Sequence, residues 1–287
     1  MYELLKSLGL VTRKNLEKLK YKCRDNQSVS VYRDKSTRII YIDDYYVGDD
    51  EYIKGEYRKL EFSLSKSDRI DKQDTLRRVK ICEQYLGDGH YAELGCGYGH
   101  VIRDLHRKKV CVQGVELQKN YIDSLLKEGI NCAYELDDIE DNSIELFGMF
   151  HVLEHLEKPI EVLTVINKKI KENGYIVVEV PNAMDFLMEY LNIDEFYKHT
   201  LWSQHLILHT KNSLKKFMEE SGFTIKDIYG VQRYPISNQL YWCLKGKPGG
   251  HETKLNAIDN RRLHNEYEKT LDKIDATDTL FAICQKI

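Results

Sequence analysis

Three glycines, Gly95, Gly97 and Gly99, fall within five positions of a chain that has only 17 glycines among its 287 residues. They follow the short apolar run "HYAEL" and precede the helix-like run "GHVIRDLHRK". Glycine permits a tight turn and lets a ligand approach the backbone, and the following helix offers its first N–H groups. The sequence therefore predicts a ligand-binding turn between a strand and a helix, with a purely structural turn as the alternative.

From residue 90 onwards, strand-like and helix-like segments alternate regularly. Strands are predicted at "HYAEL", "VCVQGVEL", "INCAYEL", "SIELFGMFHVL" and "YIVVEVPN", with helices between them, including "EKPIEVLTVINKKIKENG". This alternation is typical of a parallel sheet with right-handed crossovers. The later strands "TIKDIYGVQRY" and "TLFAICQK" predict a terminal β-hairpin at the edge of that sheet.

The chain divides into an N-terminal extension, residues 1–70, and a main domain, residues 71–287, which starts with a predicted helix at 71–86. The extension looks irregular except for "SVSVYR" and "TRIIYID", which alternate as the two strands of a hairpin. Two roles stay open for it, a lid over the site or a contact in a homodimer. An insertion at about 232–275 precedes the last strand.

Composition excludes several classes of protein. A net charge of −3 gives no general electrostatic reason to bind nucleic acid or an acidic membrane. The seven cysteines stand singly, without a C-x-x-C pair, and no secretory leader is recognisable. No apolar run approaches the roughly 18 residues of a membrane span. We expect a cytoplasmic protein without a membrane span.

Acidic residues follow the second and third predicted strands. Glu116, about 20 residues beyond the glycines, stands where an acid accepts hydrogen bonds from ribose hydroxyls. Glu135, Asp137 and Asp138 follow the third strand and could take an adenine amino group. A dinucleotide fingerprint would need glycine where His100 stands, so the glycine spacing disfavours the alternative of a nicotinamide oxidoreductase.

Together, "ELGCGYG", "GVEL", "FHVLEHLEKP" and "NGYIVVEVPN" resemble the motifs of class I S-adenosylmethionine-dependent methyltransferases over about residues 75–230. The resemblance implies an α/β, Rossmann-like fold, with a seven-stranded mostly parallel sheet, helices on both faces and an antiparallel last strand. The implied cofactor is S-adenosylmethionine, with S-adenosylhomocysteine as product. It carries an ammonium and no phosphate, which suits an acid beside the glycine loop. The implied cofactor contacts are Glu93, Gly95, Cys96, Gly97, Glu116, Leu117, Glu135, Asp137 and His151.

Methyl transfer to an alcohol calls for a base, whereas most of the rate comes from holding the reacting atoms in line. His151 lies at the end of the fourth strand, and His155 lies one helical turn further on, beside Glu154. His205 belongs to a segment, about 183–212, that resembles the substrate-side lid of these enzymes. We predict a catalytic role for His151, His155 and His205. A cofactor-cavity or structural role is the alternative for His151, and packing and capping at the start of the helix is the alternative for His155. His209 is a further candidate, with packing as its alternative.

The insertion contains "QRYPISNQLYWCLKGKPGGH", in which Arg233, Tyr234, Asn238 and Tyr241, crowded together with Trp242, suit a sugar, a nucleotide or a phosphate. Loop packing is the alternative for this cluster. This stretch resembles a group of bacterial methyltransferases of surface-polysaccharide and glycan biosynthesis. The N-terminal "CRDNQSVSVYRDKSTRII" resembles a degenerate form of a cysteine-bearing hairpin of sugar methyltransferases. Since only Cys23 remains of it, we predict no zinc and no other metal.

The predicted function is O-methylation of a sugar or sugar-nucleotide precursor in capsule or surface-polysaccharide biosynthesis. N-methylation of an amino sugar or amine is one alternative, and a non-catalytic scaffold that binds the cofactor or a glycan is another. A nucleic-acid methyltransferase is disfavoured by the net charge. It is also disfavoured because "FHVL" stands where an N-P-P-Y type tetrapeptide would be expected.

Overall fold

The computed structural model describes residues 1–54 and 69–287, which form a seven-stranded sheet and a four-stranded sheet with helices around them. The strands are β1 Leu16–Lys22, β2 Ser30–Asp34, β3 Ile40–Ile42, β4 His90–Leu94, β5 Cys111–Val115, β6 Asn131–Ala133, β7 Ile144–Phe150, β8 Ile170–Pro181, β9 Ile207–Leu208, β10 Phe223–Val231 and β11 Thr279–Lys286. The helices are α1 Tyr2–Ser7, α2 Asp49–Lys54, α3 Arg69–Leu86, α4 His100–Arg107, α5 Lys119–Lys127, α6 Pro159–Lys169, α7 Phe186–Glu189, α8 Asp194–Thr200, α9 Lys211–Glu220, α10 Ile236–Lys245 and α11 Arg261–Lys273.

The large sheet has the strand order β10-β11-β8-β7-β4-β5-β6. Its β4, β5, β6, β7 and β8 pair in parallel, and β11 runs antiparallel between β8 and β10. This confirms the α/β fold with a mostly parallel seven-stranded sheet and an antiparallel last strand. The chain leaves β4 towards β5 on one side and returns to β7 on the other. The carboxyl ends of β4 and β7 therefore border the crevice in which open α/β sheets bind ligands.

The central strands are buried on both faces, which explains their nearly continuous apolar sequence. In β7, Ile144, Leu146, Phe147 and Met149 are all fully buried. One acid interrupts this pattern in the neighbouring strand, since Glu179 of β8 is also fully buried. A carboxylate in such a strand must have partners close by, and they belong to the site described below.

The helix predicted for residues 157–174 ends at Lys169 instead, because Ile170 already pairs with Ile144 of β7. Residues 170–174 thus belong to β8, beside a register shift in the pairing. A Cβ added at Gly174 would lie 2.9 Å from the Glu145 carbonyl oxygen. The glycine therefore permits close approach of two strands. The sequence had indicated that Gly174 ends the helix, and this prediction is wrong.

The N-terminal extension is more regular than predicted. Strands β2 and β3 form the expected antiparallel hairpin, but β1 pairs with β2 and was missed. Its alternation is obscured by a register shift between Lys18 and Lys22. Strand β9 pairs with β3, so the expected lid segment 183–212 and the extension share one small sheet. The part of the expectation that concerns residues 55–68 lies outside the described residues.

The insertion at 232–275 holds α10 and α11, joined by short 3₁₀ turns. Helix α11 packs beside β10, where the Gly230 N–H donates a hydrogen bond to Asp272 Oδ1 at 2.6 Å. Within residues 1–54 and 69–287, we find no helix with the length and apolar character that crossing a membrane requires.

Candidate active site

The loop after β4 has the backbone conformation that its glycines permit. Gly95, Gly97 and Gly99 have φ values of +64°, +53° and +77°, in the left-handed region that favours glycine. A Cβ added at Gly95 would lie 2.6 Å from Cγ2 of Val152, two residues beyond the end of β7. The bare backbone at Gly95 is therefore required by both conformation and space.

The carboxylate of Glu116, at the end of β5, is bonded to this loop. Its Oε2 accepts the Gly97 N–H at 2.7 Å, and its Oε1 accepts the N–H groups of Leu117 and Gln118 at 2.9 Å each. A carboxylate has about four acceptor positions, so roughly one stays available for a ligand hydroxyl. The structure thus brings together the glycine loop and the acid that the sequence paired with it.

Glu93 is a buried acid immediately before the loop. Its Oε2 accepts a hydrogen bond from the Tyr91 hydroxyl at 2.9 Å. Burial raises the pKa of this carboxyl to about 7, with the Tyr91 hydrogen bond and Arg78 opposing the rise and Glu116 adding to it. A buried carboxylate in this state is stabilised by a nearby cation.

The remaining predicted cofactor residues lie around this loop in different ways. The Cys96 side chain is buried, and a Cβ added at Gly114 of β5 would lie 2.8 Å from its sulfur and 3.0 Å from that of Cys132. Cys96 thus packs against the sheet, and any ligand contact at this position is made by its backbone. After β6, Glu135 and Asp138 cap a short exposed turn that contains Asp137.

A cavity of about 510 Å³ lies beyond the carboxyl ends of β7 and β8. Five separate segments of the chain line it. They contribute Arg24 from the extension; His151, Glu154 and His155 after β7; Asn182 and Asp185 after β8; His199, Trp202 and His205 from the expected lid; and Arg233, Tyr234, Asn238, Gln239, Trp242 and Asp278 around the insertion. This wall of charged, amide and aromatic side chains can bind a small polar molecule.

His151 lies where the cavity meets the end of β7, with a φ of +56° that is uncommon for a residue other than glycine. Its Nε2 is 3.1 Å from Glu179 Oε1 and 3.1 Å from Arg233 Nη1, and its Nδ1 is 3.3 Å from Glu154 Oε1. Burial and Arg233 lower the pKa of His151, but the hydrogen bonds to Glu154 and Glu179 outweigh them and raise it. Strained backbone and paired carboxylates are typical of functional sites.

Behind His151 lies a network of buried charges that the sequence did not predict. Arg78 binds both Glu179 oxygens, through Nη2 at 2.8 Å and Nε at 3.0 Å, and Arg77 Nη2 lies 2.9 Å from Oε2. Arg233 Nε donates to Asp74 Oδ2 at 2.6 Å. Burial opposes ionisation of Glu179, but Arg78 and Arg77 hold its pKa well below the usual range. The acid within "YIVVEVPN" was the signal that could have indicated this network.

The other histidines have distinct surroundings. His155 Nδ1 is 2.8 Å from the Gln204 carbonyl oxygen, and its ring centroid lies 5.0 Å from that of His205. Both line the cavity. His209 is fully buried, with Nδ1 3.2 Å from Ser213 Oγ and its ring edge-on to Phe217. His209 therefore lies in the core, which agrees with packing, the alternative that the sequence left open for it.

Of the four predicted substrate residues, Arg233, Tyr234 and Asn238 line the cavity. Tyr241 is absent from the described residues that form its wall, since its Cβ faces Gly250. Trp242, one position further along α10, takes the place facing the cavity. Spacing along a helix predicted a cluster here, but not which side of the helix would face the ligand.

Arg24 and Trp202 were also missed. The Arg24 guanidinium lies 4.8 Å from the Trp202 ring centroid, and its Nη1 donates to the His199 carbonyl oxygen at 3.0 Å. These residues are about 180 positions apart in the chain. No local pattern could have joined them, because the contact depends on the small sheet that unites the extension with β9.

Comparisons with known proteins agree with this geometry. A family model described as "Methyltransferase domain" matches residues 81–228. The chain is 23% identical over 162 residues to the ubiquinone biosynthesis O-methyltransferase of Aeromonas salmonicida, covering 52% of this chain and 68% of that protein. It is 25% identical over 203 residues to the mitochondrial ubiquinone biosynthesis O-methyltransferase of Schizosaccharomyces pombe, covering 65% and 71%.

Among solved structures, the chain is similar to a SAM-dependent methyltransferase from Archaeoglobus fulgidus, with a TM-score of 0.52 and 17% identity. The match covers 75% of this chain and 94% of the other. At this identity the similarity concerns the fold alone, and it agrees with the strand order described above.

Proposed function

Because the chain belongs to the methyltransferase-domain family and is an enzyme that depends on S-adenosylmethionine, we propose that it methylates a hydroxyl oxygen of a small polar acceptor of sugar or sugar-nucleotide type. The observation that carries this proposal is the position of His151. It borders the acceptor cavity, beside the end of β7 and next to the glycine-loop side of the crevice. A base in that position serves an alcohol acceptor more than an amine that arrives neutral.

Four residues of the loop region are proposed to hold the cofactor. The Glu93 carboxylate faces its ammonium group, Gly95 and Gly97 let it approach the backbone, and Glu116 accepts its ribose hydroxyls. When bound, S-adenosylmethionine supplies an activated methyl group. Leu117 and the acids after β6, Glu135 and Asp137, surround the adenosine end in the same proposal.

His151 is proposed to take the proton of the acceptor hydroxyl. With its proton on Nε2, the ring donates to Glu179, 3.1 Å away, and Nδ1 keeps a lone pair. Glu154 Oε1, 3.3 Å from Nδ1, stabilises the imidazolium that forms. In the other tautomer the proton is on Nδ1, which then faces Glu154. Nε2 is then unprotonated and can accept a hydrogen bond from Arg233 Nη1, 3.1 Å away.

The cavity wall supports a polyhydroxylated acceptor. Asn238, Gln239, Asp185 and Asp278 offer amide and carboxyl groups that hydrogen-bond several hydroxyls. Arg24, over the Trp202 ring, offers a guanidinium that binds phosphate. The place of this reaction in capsule or surface-polysaccharide synthesis, in the cytoplasm and in a homodimer, stays a prediction.

A second acceptor class is favoured by a specific observation. Both curated relatives are named for O-methylation in ubiquinone biosynthesis. The aromatic side chains of Phe196, Trp202 and Trp242 in the cavity could contact a phenolic ring. This candidate shares the oxygen acceptor with the first and differs in the body of the molecule.

Transfer of a radiolabelled methyl group from S-adenosylmethionine to a panel of acceptors tests the proposal. The panel contains nucleotide sugars, phenols with adjacent hydroxyls, and amino sugars, and each reaction is run with the wild type and with His151→Ala. We expect transfer to a nucleotide sugar and a loss of at least about 100-fold in kcat for the variant. Transfer to phenols alone would select the second candidate, and transfer to an amine would overturn O-methylation.

Titration of the same protein with S-adenosylhomocysteine, with NADH as the control ligand, separates a loss of cofactor binding from a loss of methyl transfer. Unchanged S-adenosylhomocysteine affinity in His151→Ala would show that the loss of transfer is a loss of chemistry. Saturable cofactor binding without transfer to any acceptor of the panel would move the scaffold alternative ahead.

A further inference from the structure

The most exceptional group in the cavity wall is the Glu154 carboxylate. Its side chain has no exposed surface, and apart from the His151 ring nitrogen, 3.3 Å from Oε1, the described residues place no hydrogen-bond donor on its oxygens. A buried anion without hydrogen bonds is strongly disfavoured unless a cation compensates it.

Two imidazoles face this carboxylate. His155 belongs to the same short turn after β7 as Glu154, and its Nε2 lies 3.9 Å from Glu154 Oε1. Its other nitrogen, Nδ1, donates to the Gln204 carbonyl oxygen at 2.8 Å. A backbone carbonyl that holds one ring N–H leaves a lone pair on the other nitrogen, which is how metal-binding histidines are commonly oriented.

The second imidazole comes from a distant part of the chain. His205 stands just before β9, and its Nδ1 is buried without a hydrogen-bond partner among the described residues. Candidate donor atoms of Glu154, His155 and His205 all lie within 4.8 Å of one another.

We propose that Glu154, His155 and His205 bind a divalent transition-metal ion, with zinc as the best fit, in the wall of the acceptor cavity. Two imidazole nitrogens and one carboxylate oxygen match the donors that zinc takes in catalytic sites. Imidazole donors favour zinc and its neighbours over magnesium and calcium, which prefer oxygen. This site is separate from the cysteine-bearing hairpin, and it replaces the prediction that the protein binds no metal.

The proposed ion would have an open position towards the acceptor. All three residues line the cavity, and three protein donors leave one tetrahedral position for another ligand. The rings of Tyr52 and Trp202 each lie edge-on to His155, with centroids 5.9 Å from that of its ring. A role for the metal in polarising the acceptor hydroxyl rests on the proposed function; binding of the metal does not.

Metal binding is tested on the full chain, without cofactor or acceptor. Protein stripped with a chelator is dialysed against Zn²⁺, and bound zinc is measured by mass spectrometry and by competition with a chromophoric chelator. We expect one zinc per chain in the wild type. Glu154→Gln and His205→Ala should each weaken binding at least about 100-fold, because each removes one of three donors. His199→Ala, a histidine of the same cavity outside the three, should retain affinity within about twofold.

Thermal unfolding of the same samples guards against misfolded variants. Zinc should raise the Tm of the wild type and of His199→Ala, and should leave that of Glu154→Gln unchanged. Without metal, Glu154→Gln should still unfold in one cooperative transition, which shows that the variant is folded. Substoichiometric zinc in the wild type, or full affinity in either donor variant, would overturn the proposal.

The role of the metal is read from a separate measurement. If methyl transfer is found, we expect removal of zinc to lower kcat/KM at least about tenfold and its return to restore it. Stoichiometric zinc in a protein that transfers no methyl group would leave the site established and the proposed function refuted. Transfer that is indifferent to zinc would refute the catalytic role alone.

Discussion

The glycine loop and the acceptor cavity lie at the same edge of the large sheet but are assembled from very different lengths of chain. The loop and its acid, Glu116, lie within residues 93–118 and are joined by the hydrogen bond from the Gly97 N–H to the Glu116 carboxylate. The cavity draws on residues from Arg24 to Asp278. One is a local solution to binding a ligand, whereas the other exists only when the whole chain has folded.

The two regions also treat buried acids differently. Glu93 beside the loop makes no ion pair with another described residue, and burial outweighs Arg78 and raises its pKa to about 7. Glu179 beside the cavity is equally buried, but Arg78 and Arg77 hold its pKa well below the usual range. We infer that the protein itself neutralises the acid on the acceptor side, and that a ligand cation does so on the cofactor side.

The largest expected effect concerns Glu179, the buried acid whose charge Arg77 and Arg78 balance. Glu179→Gln leaves Arg77 and Arg78 without their common carboxylate, and we expect a loss of about 3–5 kcal/mol in the free energy of unfolding. Urea denaturation measures it. Glu128→Gln, which breaks the half-exposed pair with Arg103, is the control and should lose about 1 kcal/mol or less. Equal losses would show that burial of the pair is irrelevant.

The next effect tests whether the bare backbone of the loop at Gly95 is needed for ligand binding. Gly95→Ala adds a Cβ at a left-handed φ and against Val152, so we expect S-adenosylhomocysteine affinity to fall about 100-fold, or about 2.7 kcal/mol. Gly129→Ala has a similar φ of +75° but nothing within 4 Å of the added Cβ, and it should bind normally. Calorimetric titration compares the two, and similar losses in both would attribute the effect to backbone strain alone.

Glu93→Gln tests the inference that a ligand cation neutralises the Glu93 carboxylate. At pH 8 we expect cofactor affinity to fall about tenfold, because the charge proposed to face the ammonium is lost. The unliganded variant should nevertheless be more stable than the wild type, by up to about 3 kcal/mol, because it no longer buries a charge. Calorimetry and urea denaturation at the same pH measure the two changes.

The sign of the pH dependence follows from the direction of the shift. Glu93 has an unfolded pKa near 4.5 and a folded pKa of about 7, so the folded state binds more protons between these values. The free energy of unfolding should fall as the pH rises from 4.5 to 7 in the wild type, and less so in Glu93→Gln. The groups that face this carboxyl are Tyr91, Arg78 and Glu116. If the free energy of unfolding changed with pH in the same way in both proteins, the raised pKa of Glu93 would be contradicted.

The smallest effect concerns the contribution of the N-terminal extension. Arg24→Ala removes a guanidinium from the cavity wall, and we expect the acceptor KM to rise about fivefold, or about 1 kcal/mol, with cofactor affinity unchanged. Arg13→Ala changes an exposed arginine of the same extension and should alter neither. Steady-state kinetics with the acceptor found by the methyl-transfer panel decide it. A change in cofactor affinity would mean that the two regions are coupled.

Much of the fold could be predicted because it depends on short-range patterns. Alternating apolar runs, glycines and helix-like spacing predicted the seven strands of the large sheet and the hairpin of β2 and β3. Errors arose where pairing with a neighbour overrode local preference. Ile170 joins β8 because Ile144 is beside it, and β1 is a strand whose own alternation is interrupted at a bulge.

The sequence by itself determined the loop, the acid Glu116 that binds it, and the presence of histidines after the fourth strand. These features depend on the conformational freedom of glycine and on residues that follow one another along a strand and its turn. Only the tertiary structure decided that His205 faces Glu154, that Arg24 covers Trp202 and that Tyr241 turns away from the cavity. Such contacts depend on how separate elements pack, and periodicity along the chain does not specify the orientation of one element against another.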